Sequence, residues 1–252
     1  MVTVYVNDDA IEDIELFVFD KDGTVIDLYN YWSNMIGLRA QRLCSFYGLS
    51  LDEHEDSLMY EMGIDLKNKC IRPEGPVGLL PREVVQKAAE DYLNKLQCEN
   101  VYDVCFKIFQ EVDEASLSLL DKFITPLDGA IELLTQIKKN NCKIAIATTD
   151  KTQRAQLAMD FLNINGLFDF VVGADKVDKS KPSPDMLQLI VNALNISPKK
   201  AVMIGDAKTD VLTGINAGFK ASIGVCTGLT SQDELLKITP YVVQSVANIK
   251  ID

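Results

Sequence analysis

The sequence predicts a doubly wound α/β domain, built on a parallel sheet, with an all-α domain inserted into it. Short apolar runs without polar alternation end at polar or acidic residues, as strands buried on both faces of a sheet do. Segments with apolar residues at helical spacing separate these runs, and such alternation is typical of α/β folds. One long stretch after the first strand contains helical patterns only.

Six apolar runs are predicted as strands of the sheet. They are residues 16–19, 143–147, 170–172, 201–204, 221–225 and 241–243. Helical spacing follows residues 128–129, where Ile131, Leu134 and Ile137 share a face, and it recurs after Pro184. Strand and helix therefore alternate from residue 126 onward.

The helical stretch is too long to be a simple connection between two strands. Helices are predicted over residues 31–47, 53–61, 82–96 and 101–122, and the Pro- and Gly-rich segment 72–78 interrupts them. About a hundred residues exceed a normal crossover. We therefore expect residues 28–125 to form an inserted domain, with residues 1–27 and 126–252 as the two parts of the core.

Charge and composition exclude several classes of function. The 252 residues carry a formal net charge of −12, which repels nucleic acid and anionic membranes, and no apolar stretch approaches the ~20 residues of a membrane span. His54 is the only histidine, which excludes a His zinc site and leaves little room for a Ser-His-Asp triad. Six cysteines without a CxxC pair, and an N-terminus without a secretion signal, predict a cytoplasmic protein with reduced thiols.

The candidate functional residues follow predicted strands. They are Asp20, Asp22, Thr148, Thr149, Lys181, Asp206 and Asp210. Ligands of open α/β sheets bind at the carboxyl ends of the strands, so we expect these side chains to converge there. Several carboxylates on one rim repel one another unless a cation lies between them, and a hard, oxygen-binding ion such as Mg²⁺ suits this donor set.

This ordered set resembles the haloacid dehalogenase-like superfamily, specifically its phosphatases with a helical cap inserted after the first motif. The family pattern hhhhDxDG(T/V), then hhhh(S/T), then Lys, then GDxxxD is matched by residues 16–24, 145–148, Lys181 and 205–210. Residues 217–218 and 227–236 also look like the phosphoglycolate phosphatase branch. The resemblance implies a Rossmann-like core over residues 14–245 and a cap over residues 28–125.

The resemblance implies a role for each motif residue in hydrolysis of a phosphate ester. Asp20 would attack phosphorus and form an aspartyl-phosphate, a task for which a carboxylate needs no histidine base. Asp22 would protonate the leaving alcohol and then activate water. Thr148 would donate a hydrogen bond to the phosphoryl group, and Lys181 would add a fixed positive charge.

The same resemblance implies a Mg²⁺ site. Asp20, the backbone carbonyl of Asp22, and Asp206 would ligate the ion. Asp210 would orient the site or bind the ion through water. The implied substrate is a small phosphorylated metabolite, and Thr149 and Arg72 are the candidate substrate contacts outside the motifs. The sequence indicates neither the oligomeric state nor the substrate.

Other interpretations of these residues remain open at this point. Thr148 alone suits a strand end, Lys181 or Arg72 a solvated surface, and Asp210 the first turn of a helix. We favour Asp150 as a cap for the helix that follows it.

Three other functions also stay open. A phosphomutase would pass the phosphoryl group to a sugar hydroxyl on the same scaffold. A haloacid dehalogenase would not need Asp22. A phospho-receiver module, which is not an enzyme, would lack both the DxDGT and the later GDxxxD motif.

Overall fold

The computed structural model describes residues 1–78, 80–116 and 119–252. The chain divides into two compact units. Met1–Leu28 together with Thr125–Asp252 is here called the core unit, and Tyr29–Ile124 is called the helical unit. All six cysteines are free thiols.

The strands and helices of the described residues have the following bounds. The strands are β1 (Val2–Val6), β2 (Asp9–Ile14), β3 (Leu16–Phe19), β4 (Ile64–Asp65), β5 (Cys70–Ile71), β6 (Lys143–Thr148), β7 (Phe170–Gly173), β8 (Ala201–Gly205), β9 (Ala221–Val225), β10 (Val242–Val243) and β11 (Ile249–Ile251). The helices are α1 (Leu28–Tyr47), α2 (Leu51–Met62), α3 (Arg82–Lys95), α4 (Val101–Ser116), α5 (Leu120–Phe123), α6 (Ala130–Lys139), α7 (Thr152–Phe161), α8 (Asp185–Leu194), α9 (Lys208–Asn216) and α10 (Gln232–Leu236).

The six predicted strands form one parallel sheet, in the order β10-β9-β8-β3-β6-β7. All four residues of β3 are buried, and the strand has a neighbour on each side. On one face, Met186, Leu187 and Ile190 of α8 pack against side chains of β3, β6 and β8. The predicted α/β fold with an inserted helical segment is confirmed.

A second, antiparallel sheet in the core unit is absent from the sequence-based prediction. β1 lies between β11 and β2, so the two ends of the described chain are paired. Only one face of β1 is fully buried, through Val2, Val4 and Val6. Its partner β11 is more than two hundred residues away in the sequence, and local patterns carry no sign of such a pairing.

The helical unit contains α1 to α5, close to the predicted helices, with two corrections. The predicted all-α character is not complete, because Ile64–Asp65 and Cys70–Ile71 pair as a two-residue antiparallel ladder after Gly63 ends α2 at φ 111°. The second correction is that two helices, α4 and α5, stand where one helix over residues 101–122 is predicted. The Ser116 hydroxyl donates to the Asp113 carbonyl, which gives the backbone an alternative at the end of α4. Residues 117 and 118 of that prediction lie outside the described residues.

No helix in the described part of the chain combines the length and the apolar character needed to cross a bilayer.

Candidate active site

The carboxyl ends of three adjacent strands present the predicted polar residues. Asp20 follows β3, Thr148 is the last residue of β6, and Asp206 follows β8. The register pairs Phe19 with Ile146 on one side and with Ile204 on the other, which puts these three strand ends level. The sequence rule about strand ends therefore places these groups on one rim of the sheet.

Lys181 joins the end of β3 to the first turn of α9. It lies in the loop between β7 and α8, and its Nζ donates to Asp20 Oδ1 at 2.6 Å and to Asp210 Oδ1 at 2.6 Å. Asp210, in the first turn of α9, also accepts the Ala207 N–H at 2.9 Å. The Lys181 side chain is 1% exposed, so it is a buried cation with two carboxylate partners. The solvated-surface interpretation of Lys181 is wrong.

Three buried carboxylates lie close enough to share one ion. Side-chain oxygens of Asp20, Asp206 and Asp210 all fall within 4.8 Å of one another. Burial, together with the charges of neighbouring aspartates, raises the pKa of Asp20 to about 7 although Lys181 opposes the shift. Burial and the neighbouring charges of Asp20 and Asp210 also raise the pKa of Asp206. For Lys181, burial alone would lower the pKa, but Asp20 and Asp210 raise it above its ordinary value.

These residues fit a hard divalent cation. Three carboxylates face one lysine, so the described cluster has more negative than positive groups, and oxygen donors are the ligands Mg²⁺ prefers. The backbone also comes close to Asp206, because a Cβ at either Gly23 or Gly228 would overlap its carboxylate. Gly23 has φ +84°, and its carbonyl accepts the Thr227 hydroxyl at 2.5 Å.

Asp22 lies apart from this cluster and has its own partner. Its carboxyl is 33% exposed, and the Lys21 Nζ lies 2.6 Å from its Oδ1. Lys21 is buried, and its Nζ is also 3.5 Å from Asp150 Oδ2. Burial would lower the pKa of Lys21, but Asp22 and Asp150 raise it. Lys21 was not among the predicted residues, and its place within the DxD motif was the only signal in the sequence.

The predicted capping role of Asp150 is wrong. Helix α7 begins at Thr152 with Lys151 as its N-cap residue, and Asp175 accepts the Thr152 N–H at 2.7 Å. Asp150 instead accepts the Lys151 N–H and faces Lys21. Its position therefore links the ends of β3 and β6.

The remaining predicted residues have different surroundings. Thr148 is buried, and its Oγ1 accepts the Asp150 N–H at 3.1 Å, whereas Thr149 is exposed. Arg72 belongs to the helical unit, where it donates to the Tyr60 carbonyl at 2.7 Å, stacks on the Tyr60 ring and pairs with Glu74. These contacts occupy part of its guanidinium within its own unit. The substrate roles of Thr149 and Arg72 stay predictions.

Comparison with known proteins identifies the family of this chain. A family model described as haloacid dehalogenase-like hydrolase matches residues 14–218, which is most of the chain. The chain belongs to this family of hydrolases. The matched region includes every motif residue named above, from Asp20 to Asp210.

Individual relatives agree with this assignment. The chain is 30% identical over 130 residues to pyrophosphatase PpaX of Halalkalibacterium halodurans, which covers 51% of this chain and 60% of that protein. The chain thus spans about three fifths of the length of the curated relatives it matches.

Solved structures match over almost the full chain. A predicted phosphoglycolate phosphatase from Haemophilus somnus superposes with a TM-score of 0.65 at 17% identity, covering 94% of this chain and 97% of the other. A β-phosphoglucomutase from Clostridium difficile gives 0.56 at 25% identity, covering 93% and 92%.

Proposed function

We propose that the protein is a Mg²⁺-dependent phosphatase that hydrolyses a small phosphorylated metabolite through an aspartyl-phosphate on Asp20. The observation that carries the proposal is the buried group in which Lys181 donates to both Asp20 and Asp210, beside Asp206. A buried cation fixed against a buried carboxylate is the arrangement that stabilises a developing phosphoryl charge. The family match supports the same chemistry.

The first half of the reaction forms the phosphorylated enzyme. An oxygen of Asp20 attacks phosphorus while the bond to the leaving oxygen breaks. Asp22 donates its proton to that leaving oxygen, and the partly exposed position of its carboxyl suits contact with a substrate. Lys181 and Thr148 stabilise the charge on the phosphoryl oxygens, since both end at the same rim as Asp20.

The second half regenerates Asp20. Asp22, now a carboxylate, accepts a proton from a water molecule, and the oxygen of that water attacks phosphorus. The bond between phosphorus and the Asp20 oxygen breaks, and inorganic phosphate leaves. The exposure of Asp22 gives water a route to this base, and Asp20 itself is more deeply buried.

The proposed ligands of Mg²⁺ are the carboxylates of Asp20 and Asp206 and the backbone carbonyl of Asp22. When bound, the ion supplies positive charge that reduces repulsion between the Asp20 carboxylate and the phosphate. Asp210 orients the site from its position between Lys181 and the Ala207 N–H.

The helical unit is proposed to act as a cap that selects the substrate. In this proposal residues 28–125 form the cap, and residues 1–27 and 126–252 form the catalytic core. Thr149 and Arg72 are proposed to contact parts of the substrate away from the phosphate. Inserted segments joined by two short connections suit opening and closing around a ligand.

A phosphomutase is the second candidate function. The match to a β-phosphoglucomutase over more than nine tenths of both chains favours it. A mutase on this fold transfers a phosphoryl group to another sugar hydroxyl and not to water. The two functions differ in the acceptor of the phosphoryl group. Inorganic phosphate is released in stoichiometric amounts only when water is that acceptor.

A substrate panel tests the proposal. The protein is assayed with Mg²⁺ on pyrophosphate, phosphoglycolate, sugar phosphates and nucleoside monophosphates, and kcat/KM is compared with that for 4-nitrophenyl phosphate. Asp20→Asn is the control, because the amide is nearly isosteric but cannot attack phosphorus. We expect Mg²⁺-dependent phosphate release by the wild type and none by the variant. Full activity after chelation, or in Asp20→Asn, would contradict the mechanism.

A further inference from the structure

The proposed reaction leaves one buried cation of the core unit without a role. Lys21 lies between Asp20 and Asp22 in the sequence, and only 7% of its side chain is exposed. A lysine rarely sits so deep unless carboxylates surround it. Its neighbours are Asp22, at 2.6 Å, and Asp150, at 3.5 Å.

These groups form a chain of alternating charges outside the carboxylate group of Asp20, Asp206 and Asp210. Asp22 contacts Lys21, Lys21 contacts Asp150, and the Nε of Arg154 lies 3.5 Å from the same Asp150 oxygen. We call Asp22, Lys21, Asp150 and Arg154 the charge chain. Lys181 faces Asp20 and Asp210, so the two buried lysines serve different carboxylates.

The ammonium group of Lys21 lies next to Asp150, whose position is fixed by several hydrogen bonds. The Asp150 N–H donates to Thr148 Oγ1, the Asp150 carbonyl accepts the Ala174 N–H at 3.0 Å, and Oδ1 accepts the Lys151 N–H at 2.8 Å. Asp150 therefore has little freedom, and its Oδ2 defines where a cation can sit. The backbone of Lys21 is also held, because its carbonyl accepts the N–H groups of Val25 and Ile26 at 2.9 Å.

This fixed ammonium restricts the one carboxyl that has to move a proton. The Asp22 side chain is one-third exposed, and a carboxyl in that position samples several rotamers unless a partner selects one. A charge-assisted hydrogen bond is about twice as strong as a neutral one. The contact at 2.6 Å therefore selects a single orientation of Asp22.

We propose that Lys21 is a positioning residue, which holds the Asp22 carboxyl in the orientation needed to protonate the leaving oxygen, with Asp150 fixing Lys21. The inference rests on the proposed phosphatase function. Lys21 contacts Asp22, so we expect its removal to weaken mainly the step that needs proton transfer by Asp22. The lysine in hydrogen-bond contact with Asp20 is Lys181.

Two substrates of similar shape separate these steps. 4-Nitrophenyl phosphate has a leaving group that departs as an anion, whereas 4-nitrobenzyl phosphate releases an alkoxide that needs a proton. The parameter is kcat/KM, which reports the first phosphoryl transfer and not the later hydrolysis of the aspartyl-phosphate. A variant that misplaces Asp22 loses activity on the benzyl ester and keeps it on the phenyl ester.

The test variant is Lys21→Met, and Lys200→Met is the matched control. Lys200 pairs at 2.8 Å with Glu15, the residue directly before β3. Lys21 likewise pairs with Asp22, which lies just after β3. In Lys21→Met we expect kcat/KM for the benzyl ester to fall by about 10²-fold, the lower part of the range for general acid catalysis, and the phenyl ester to change by less than about threefold. In Lys200→Met we expect neither to change beyond about threefold.

Asp150→Asn provides a second variant that keeps Lys21 and removes its anchor. We expect a loss of kcat/KM that is selective for the benzyl ester and smaller than the loss expected for Lys21→Met. This variant tests the proposal even if Lys21→Met folds poorly. Equal losses of kcat/KM on both esters, or an unchanged kcat/KM in folded Lys21→Met or Asp150→Asn, would overturn the positioning role. The phosphatase proposal would remain intact. A wild type without Mg²⁺-dependent hydrolysis of the phenyl ester would refute the phosphatase function and this inference together.

Discussion

The elevated pKa of Asp20 predicts that Mg²⁺ and protons compete for the buried carboxylates. Burial and neighbouring aspartates raise this pKa from 3.8 to about 7, and the pKa of Asp206 is raised as well. The folded, metal-free protein therefore holds a proton between about pH 4 and 7 that the unfolded chain has already released. The contribution of Asp20 to the stability of the metal-free protein falls as the pH rises through that window. A metal ion has to displace this proton in order to bind.

The size of the effect follows from the pKa. With one proton released at a pKa of about 7, the apparent Kd for Mg²⁺ is about 30-fold weaker at pH 5.5 than at pH 8. This factor corresponds to about 2 kcal/mol of binding free energy. At pH 6, binding releases close to one proton. A proton held on Asp206 makes the dependence steeper.

Calorimetric titration with Mg²⁺ at pH 5.5 to 8 measures this competition. Titrations at pH 6 in two buffers of different ionisation enthalpy count the protons released. The Mg²⁺-induced rise in Tm should be larger at pH 8 than at pH 5.5, and Asp20→Asn should show a flatter pH dependence of Kd. A Kd that is constant from pH 5.5 to 8, with no proton release, would refute the reasoning.

Three substitutions test other residues with proposed roles. Asp22→Asn should lower kcat/KM for 4-nitrobenzyl phosphate by about 10²- to 10⁴-fold and spare much of the activity on 4-nitrophenyl phosphate, and equal losses would argue against its role as acid. Gly228→Ala should abolish Mg²⁺ binding in calorimetry, because the new Cβ overlaps the Asp206 carboxylate, and unchanged affinity would contradict that contact. Arg72→Ala should lower kcat/KM for the natural metabolite far more than for the aryl phosphate. Equal effects on both substrates would leave Arg72 with only its contacts to Tyr60 and Glu74.

The parallel sheet was predictable from sequence because its strands are buried on both faces. Strands β3 and β8 are continuous apolar runs of four or five residues, which is the pattern typical of a strand in the middle of a parallel sheet. The antiparallel sheet was not predictable in the same way. Its pairing of β1 with β11 joins distant parts of the chain, and its strands are buried on one face only.

The site was predictable to the extent that strand ends define it. Asp20, Asp206 and Thr148 follow from the rule that polar groups gather at the carboxyl edge of a parallel sheet. The motif identifies Lys181, and the structure adds its two carboxylate partners. The burial of Lys21 was not predictable, because it depends on Asp150, which reaches it from the end of a different strand.

The central position of β3 in the sheet has a consequence for the order of folding during synthesis. This strand is the first of its sheet to leave the ribosome, yet both of its neighbours, β6 and β8, come much later in the chain. About 120 residues separate it from β6, which corresponds to a delay on the order of 10 s at typical rates of translation. During that time the helical unit is synthesised in full, whereas the backbone N–H and C=O groups along both edges of β3 have no strand to pair with. A nascent chain of this protein thus presents an unpaired apolar segment to chaperones until residues 143–148 emerge.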